Sequence, residues 1–354
     1  MAVGFPVKAD YITGDVLTAN NMNDLSGTLN TIQSVEYAAG KNKIINGAFN
    51  VWQRGTSISL TNNTYAYGAD RFIAYLSFSA GTSSFSQQTF TPGTAPVAGY
   101  ESQYFGRITC GSTSTYLELN QRIEDVRVFA GQTVTFSFWA KSSAAIVITP
   151  LFNQQFGSGG SATVSTSASN ITLTSSWVRY TSTIALPSIS GKTIGTNSYL
   201  NASMTYVSGT LNSATIDTWG WQVEASSTAS DFQTATGTIQ GELAACRRYY
   251  IRFGSGSDYT PYGTGWNSST SAGQCVVMLP VSMRVEPTSV EYSTLGSNVP
   301  GVSSVAITTV TLSTESGQDS VTLTTAASAT FTTGFFVLAN RASSSAYLAL
   351  NAEL

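Results

Sequence analysis

Hydrophobic spacing divides the chain at Gly40. Before it, Met22, Leu25, Leu29 and Ile32 recur at intervals of three, four and three residues, which is one face of a helix. Thr18 precedes them, and its hydroxyl suits an N-cap, where it accepts from a free N–H of the first turn. The seam covers about two heptads, fewer than the three or four that define a coiled coil. It predicts a helix that either packs on its own domain or joins a small bundle on a homotrimer axis.

From Lys43 the period falls to two. In QTVTFSFWAKS (132–142), Val134, Phe136 and Phe138 alternate with Thr133, Thr135 and Ser137, so one face of a strand enters a core. Similar patterns predict strands at 72–78, 105–110, 116–121, 145–152, 177–186 and 215–223, with turn residues at 91–93, 130–131 and 187–191. Short strands broken by such turns predict a β-sandwich. Its spacing is that of a jelly roll over 41–230, opening at 46–49 and closing with a long strand at 218–226. A polar link at 226–240 follows. Ile239, Leu243, Cys246 and Tyr250 then fall at intervals of four, three and four, which predicts a short helix. Strand patterns resume at 249–253, 274–279, 302–313, 320–325 and 331–338. The expectation is an all-β chain: residues 1–40 with a helix, a jelly roll, and a second, smaller β-sandwich with one short helix over 231–354.

Composition narrows the chemistry. Charged residues are 10% of the 354, against about 25% in ordinary domains, so the surface must be built from Ser, Thr, Asn, Gln and Gly. The net charge is -3 and offers no basic footprint for nucleic acid. Histidine is absent, which removes the commonest general base and transition-metal ligand. Cys110, Cys246 and Cys275 are far apart and lack CxxC spacing. They read as free, buried thiols of a reducing compartment, with a Cys246–Cys275 bridge as the alternative. The opening MAVGFPVKAD has no basic head before an apolar run, so no signal peptide is expected. No stretch reaches the roughly 18 apolar residues of a membrane span.

Several residues invite a functional reading. Trp52, Arg54 and Asp70 in WQRG and ADRF could stack on a sugar and bond its hydroxyls. The favoured alternative packs Trp52 at the sandwich edge and pairs Arg54 with Asp70, since buried charge needs a partner. Glu118 alternates with Leu117 and Leu119, and Glu124–Asp125 reads as a turn. That places Glu118 on the solvent face and gives no carboxylate pair for glycoside hydrolysis. Asp70, Asp217 and Glu224 are the candidates for a structural Ca²⁺, which takes about six or more oxygens. Arg247 and Arg248 precede two tyrosines and read as a helix-to-strand junction pairing with acids. The Gly/Ser-rich stretch 255–269 carries Tyr259, Tyr262 and Trp266. Aromatic rings on a loop suit stacking on sugars, so these three are the candidate receptor residues, with 152–161 a weaker second loop.

Four strings carry a resemblance: KNKIINGAFNVWQRG (41–55), ADRF (69–72), GELAACRRYY (241–250) and LPVSMRVEPT (279–288). In this order they resemble the carbohydrate-binding-module-like portion and C-terminal domain of bacteriophage tail-fibre and other virion appendage proteins. GDVLTANNMNDL (14–25) is similar to the opening helix that attaches such chains to the particle. TWGWQVEASSTASDF (218–232) resembles the segment joining their domains, except that Ala225–Ser226 replaces the expected Gly. The resemblance implies a virion structural protein made in the host cytoplasm. It implies a homotrimer docked through residues 1–40 on tail or capsid proteins, and weak multivalent attachment to a host surface polysaccharide. It carries no catalytic residue, cofactor or membrane insertion. A capsid head fibre, a purely structural baseplate component and a polysaccharide-degrading tailspike remain as alternatives.

Overall fold

A computed structural model of the chain describes residues 40–97, 100–254, 259–298, 304–327, 330, 334–341 and 345–354. The seam of Met22, Leu25, Leu29 and Ile32 lies outside the described residues. The chain is all-β apart from one helix among those residues.

A six-stranded sheet orders β1 (Ser57–Leu60), β4 (Ser83–Thr89), β5 (Tyr104–Thr109), β13 (Thr215–Glu224), β7 (Thr133–Ser142) and β11 (Val178–Ala185). A seven-stranded sheet orders β10 (Ile171–Leu173), β8 (Ile146–Gln155), β12 (Tyr199–Gly209), β6 (Ser114–Glu124), β3 (Phe72–Phe78) and β2 (Thr64–Tyr67), with β9 (Val164–Ser167) beside β8. All of these pairings are antiparallel. The alternating apolar side chains meet between the sheets, where Phe49, Phe72, Phe85, Phe136, Phe138, Phe152 and Trp221 are fully buried. Trp221 satisfies its indole by donating to Thr218 Oγ1 at 2.7 Å.

The outer side of the six-stranded sheet is covered too. Phe90, Phe105, Trp139, Trp219 and Phe232 form a second aromatic cluster there. Trp219 and Trp221 are two residues apart, a spacing that puts both on one face of a regular strand. A β-bulge between Trp219 and Gln222 sends them to opposite sides. Gly220 makes this possible at φ +67, and a Cβ there would stand 2.5 Å from the Trp139 ring.

Helix α1 (Ile239–Arg247) starts at Thr238, whose hydroxyl accepts from Gly241 N. Its buried face differs from the expected one. Ile239 is exposed, Tyr250 belongs to the next strand, and the helix buries Glu242 and Cys246. Glu242 is drawn inward by three donors: Asn46 N at 2.6 Å, Thr236 N at 2.8 Å and Thr236 Oγ1 at 2.8 Å.

After α1, β14 (Tyr250–Gly254), β22 (Tyr347–Asn351) and β17 (Ser289–Ser293) make a three-stranded sheet. The remaining strands close a barrel in the order β15 (Pro261–Asn267), β16 (Ala272–Met278), β20 (Ser320–Ala327), β19 (Val305–Leu312), β18 (Leu295–Asn298) and β21 (Gly334–Asn340). Sheet and barrel share one core, including Ile251, Val277, Leu323, Leu338 and Leu350. The smaller β unit is thus a sheet packed on a barrel, because β21 pairs with both β15 and β18. All three cysteines are buried and free, so the Cys246–Cys275 alternative falls.

The four strings behind the resemblance converge where the two cores meet. Arg71 is fully buried, pairs with Glu353, and lies 3.5 Å from the Tyr249 ring centre. Arg54 sits 3.6 Å from the Tyr250 ring centre and 3.3 Å from Glu353. It approaches Asp70 only to 4.0 Å, so Glu353, not Asp70, is its nearer acid. Gln53 Nε2 donates to Asp70 and to the Tyr250 carbonyl. Arg248 and Tyr249 both donate to Glu124, and Arg284 donates to the carbonyls of Ala352 and Glu353. Burial pushes Asp70 above and Arg71 below their ordinary ranges. These motifs hold the scaffold together.

Candidate functional site

The outward side of the seven-stranded sheet is chemically unlike the rest of the surface. Along β6 the inward residues are Leu117, Leu119 and Ile123, which leaves Tyr116, Glu118, Asn120 and Arg122 outward by the period of two. Cross-strand register then sets rows. Tyr65, Tyr75, Glu118, Thr205 and Thr149 lie side by side across β2, β3, β6, β12 and β8. The next row runs Tyr67, Ile73, Asn120, Ser203 and Leu151, and the one beyond it Arg122, Asn201 and Asn153.

The rings are packed against one another. Tyr65 and Tyr75 have centroids 4.7 Å apart, and Tyr75 and Tyr116 are 5.9 Å apart, edge to face. Tyr65 stays half exposed at the sheet edge. Behind the rings the floor is polar and buried. Glu118 is 9% exposed, Asn120 2%, Asn201 7% and Ser203 0%. Glu118 does face outward, as the alternation predicts, but its neighbours' side chains close over it. Asn120 Nδ2 donates to Glu118 Oε1 at 3.0 Å and Asn201 Nδ2 to the same oxygen at 3.4 Å. Burial raises the Glu118 carboxyl above its usual range, against the opposing pull of Asn201, Asn120 and Arg122. Burial likewise pushes Tyr116 up to about 12. The amide oxygens of Asn120, Asn153 and Asn201 are buried and accept no hydrogen bond from the described residues.

Arg122 is committed elsewhere. Its guanidinium donates to the Leu354 carbonyl and lies 5.0 Å from the Tyr199 ring centre. Glu118 and Glu124 are the carboxylates within the strands of this sheet. Six residues separate them, about 20 Å at a strand's rise of roughly 3.3 Å. Glycoside hydrolysis needs its two carboxyls within about 5–10 Å, so Glu118 and Glu124 stand too far apart to form such a pair.

The residues singled out by sequence fall elsewhere. Residues 261–267 are strand β15, not a loop. A bulge between Pro261 and Gly263 turns Tyr262 into the second core, where its hydroxyl donates to the Ala346 carbonyl. Tyr262 therefore cannot meet a ligand. Trp266 is half exposed on the barrel, edge-on to Phe335 at 4.9 Å, and Tyr259 is exposed just before β15. In the second candidate loop, Phe152 and Phe156 are core residues. The proposed calcium ligands do not come together. Asp70 is bound by Gln53, Asp217 by Arg107 and Lys141, and Glu224 by Ser230, Gln222 and Lys41. Among the described residues no three acidic, cysteine or histidine side chains group as a metal site, and no helix is long and apolar enough to cross a membrane.

No protein-family model matches the chain, and no curated protein does. Among solved structures, the enzymatically active domain of tailspike protein 4 of bacteriophage CBA120 is similar at 12% identity and TM-score 0.33, over 52% of this chain and 21% of that one. TmCBM61, solved with β-1,4-galactotriose, is similar at 11% identity and TM-score 0.30, over 52% of this chain and 99% of its own. The family 11 carbohydrate-binding module of a Clostridium thermocellum cellulase is similar at 13% identity and TM-score 0.29, over 47% of this chain and 97% of that one. The chain spans about a fifth of the tailspike's length. At these TM-scores the likeness decides neither ligand nor role.

Proposed function

We propose that the outward face of the seven-stranded sheet binds a glycan, and that the chain is a non-catalytic attachment protein of a virion appendage. One observation carries the first part: a packed cluster of three tyrosines, Tyr65, Tyr75 and Tyr116, on the outward face, with Tyr65 half exposed at its edge. Rings offer flat apolar faces to a sugar ring, and phenol hydroxyls at their edges can bond its hydroxyls. The second part rests on the sequence resemblance, which also supports a homotrimer docked through residues 1–40. Three copies of a weak site would raise avidity without any new contact.

A glycan array probed with the full chain, with Tyr75→Ala and Trp266→Ala alongside, tests this. Binding that Tyr75→Ala abolishes and Trp266→Ala leaves intact is the expected result. Folded protein that binds no glycan overturns it. That outcome would favour a purely structural component, whose exposed Met278 and Phe335 on the barrel would pack against neighbours.

A further inference from the structure

We infer that a second ligand site lies where β5 begins, beside the start of helix α1, and that it takes a short neutral sugar. This goes beyond the sheet-face reading and does not depend on it.

The observation is a cavity of about 470 Å³ lined by Asn50, Tyr100, Glu101, Gln103, Tyr104 and Ile239. Its volume falls within the roughly 300–1,000 Å³ of small-molecule sites. Tyr104 belongs to the six-stranded sheet, whereas Tyr65, Tyr75 and Tyr116 belong to the seven-stranded one, so the two sites are on different sheets. The aromatic cluster behind the cavity fixes its wall. The Tyr100 ring centre is 5.6 Å from those of Trp219 and of Phe232. Ser102, which also lines the cavity, accepts from Trp219 Nε1 at 2.7 Å and donates to the Tyr104 carbonyl at 3.2 Å. Residues 100–104 are therefore held in place without using the polar ends of the tyrosines.

Those ends remain available. The hydroxyls of Tyr100 and Tyr104 and the side-chain amides of Asn50 and Gln103 bond to none of the described residues. Gln103 and Glu101 are exposed, and Asn50 and the two tyrosines are half-buried with their polar atoms still open to solvent. Glu101 accepts from Gly93 N through Oε2 at 3.1 Å, which leaves Oε1. Ile239, the first residue of α1, is half exposed and adds an apolar contact. Phenol rings and an isoleucine suit the C–H faces of a sugar, and amides, phenols and a carboxylate suit hydroxyls that both donate and accept. Among the described residues lining the cavity none is a lysine or arginine, so a phosphate or uronate would meet no partner charge there.

So small a ligand makes few contacts and binds weakly. A washed array therefore reads the sheet face, and free sugar in solution reads the cavity. The test is calorimetric titration of the full chain with glucose, galactose, mannose and N-acetylglucosamine, their disaccharides, and glucuronate and galacturonate. At least one neutral sugar should bind at one site per chain. Gln103→Trp, which fills the cavity from an exposed position, and Tyr104→Ala should each weaken that binding at least about tenfold. Tyr75→Ala should leave it unchanged, and urea midpoints establish that each variant is folded. Binding lost in Tyr75→Ala and kept in Gln103→Trp overturns the inference and leaves the sheet-face reading standing. Heat from none of these sugars, or a uronate held in the cavity as tightly as its neutral counterpart, also overturns it without touching that reading.

Discussion

Arg71 and Tyr249 meet face to face, with the guanidinium carbon 3.5 Å from the ring centre and the charge neutralised by Glu353. The three residues come from three distant parts of the sequence, and Arg71 is 1% exposed. A buried arginine without its acid is an uncompensated charge. Arg71→Met, which removes the charge but keeps length, leaves Glu353 to Arg54 alone. The expected loss is about 3–5 kcal/mol, read as a fall in the urea midpoint. A change under about 1 kcal/mol would mean that the pair contributes little to folding.

Gly220 is the second position where the backbone is tightly constrained. Its φ is +67, and a Cβ would meet the Trp139 ring at 2.5 Å. Gly220→Ala should destabilise by about 1–3 kcal/mol through strain and overpacking. It should also shift near-ultraviolet circular dichroism, since Trp139 and Trp219 pack 5.2 Å apart.

The buried acids respond to pH with opposite signs. Burial pushes Glu224 up, but Ser230, Gln222 and Lys41 outweigh it, and the net shift is downward. Its stabilisation is therefore present above the ordinary carboxylate range and lost as pH falls through its lowered folded value. Glu224→Gln should cost about 1.5–3 kcal/mol near neutral pH, and the difference should shrink in acid. Glu118 is shifted upward by burial, so its ionisation weighs against the fold once pH rises through that raised value. Glu118→Gln should raise the denaturation midpoint at neutral pH and converge with the parent in acid. Denaturation series from neutral to acidic pH check both.

Native thiol chemistry should be silent. Burial alone drives Cys110 and Cys275 to about 12, and Cys246 is raised well above its ordinary value. Reactivity needs thiolate and access. An aromatic disulfide reagent should titrate no thiol in the folded protein and three after denaturation.

Trp266→Ala separates the site expected from sequence from the one proposed on the sheet face. Trp266 touches Phe335 edge to face on the barrel, so the change should cost about 1 kcal/mol or less. It should leave glycan binding by the sheet face unaltered.

Much of the sandwich was legible because its inward residues are large. Val134, Phe136 and Phe138 mark β7, and Phe72, Ala74 and Leu76 mark β3. Strand β12 carries no such mark. Its inward set is Leu200, Ala202 and Met204, its outward set Asn201, Ser203 and Thr205, and neither set stands out in a Ser/Thr-rich chain. That strand supplies half the floor of the candidate site. The face of Glu118 was legible from Leu117 and Leu119. Its burial was not, because Tyr65, Tyr75 and Asn201 reach it from 43 or more residues away in sequence. The spacing of Tyr262 and Trp266 suggested a shared role, and a single bulge separated them. Local bulges are set by tertiary pairing, so period counting cannot find them.

The junction also constrains how such a chain can change by exchange of parts. Arg54, Arg71, Tyr249, Tyr250 and Glu353 interlock across 299 residues of sequence. A recombination point between the sandwich and the barrel would part them, and a new barrel could be accepted only if it brought its own tyrosine pair and closing acid. The sheet face proposed to bind glycan lies on the sandwich and outside this lock, so a lineage could reshape its ligand while inheriting the lock unchanged.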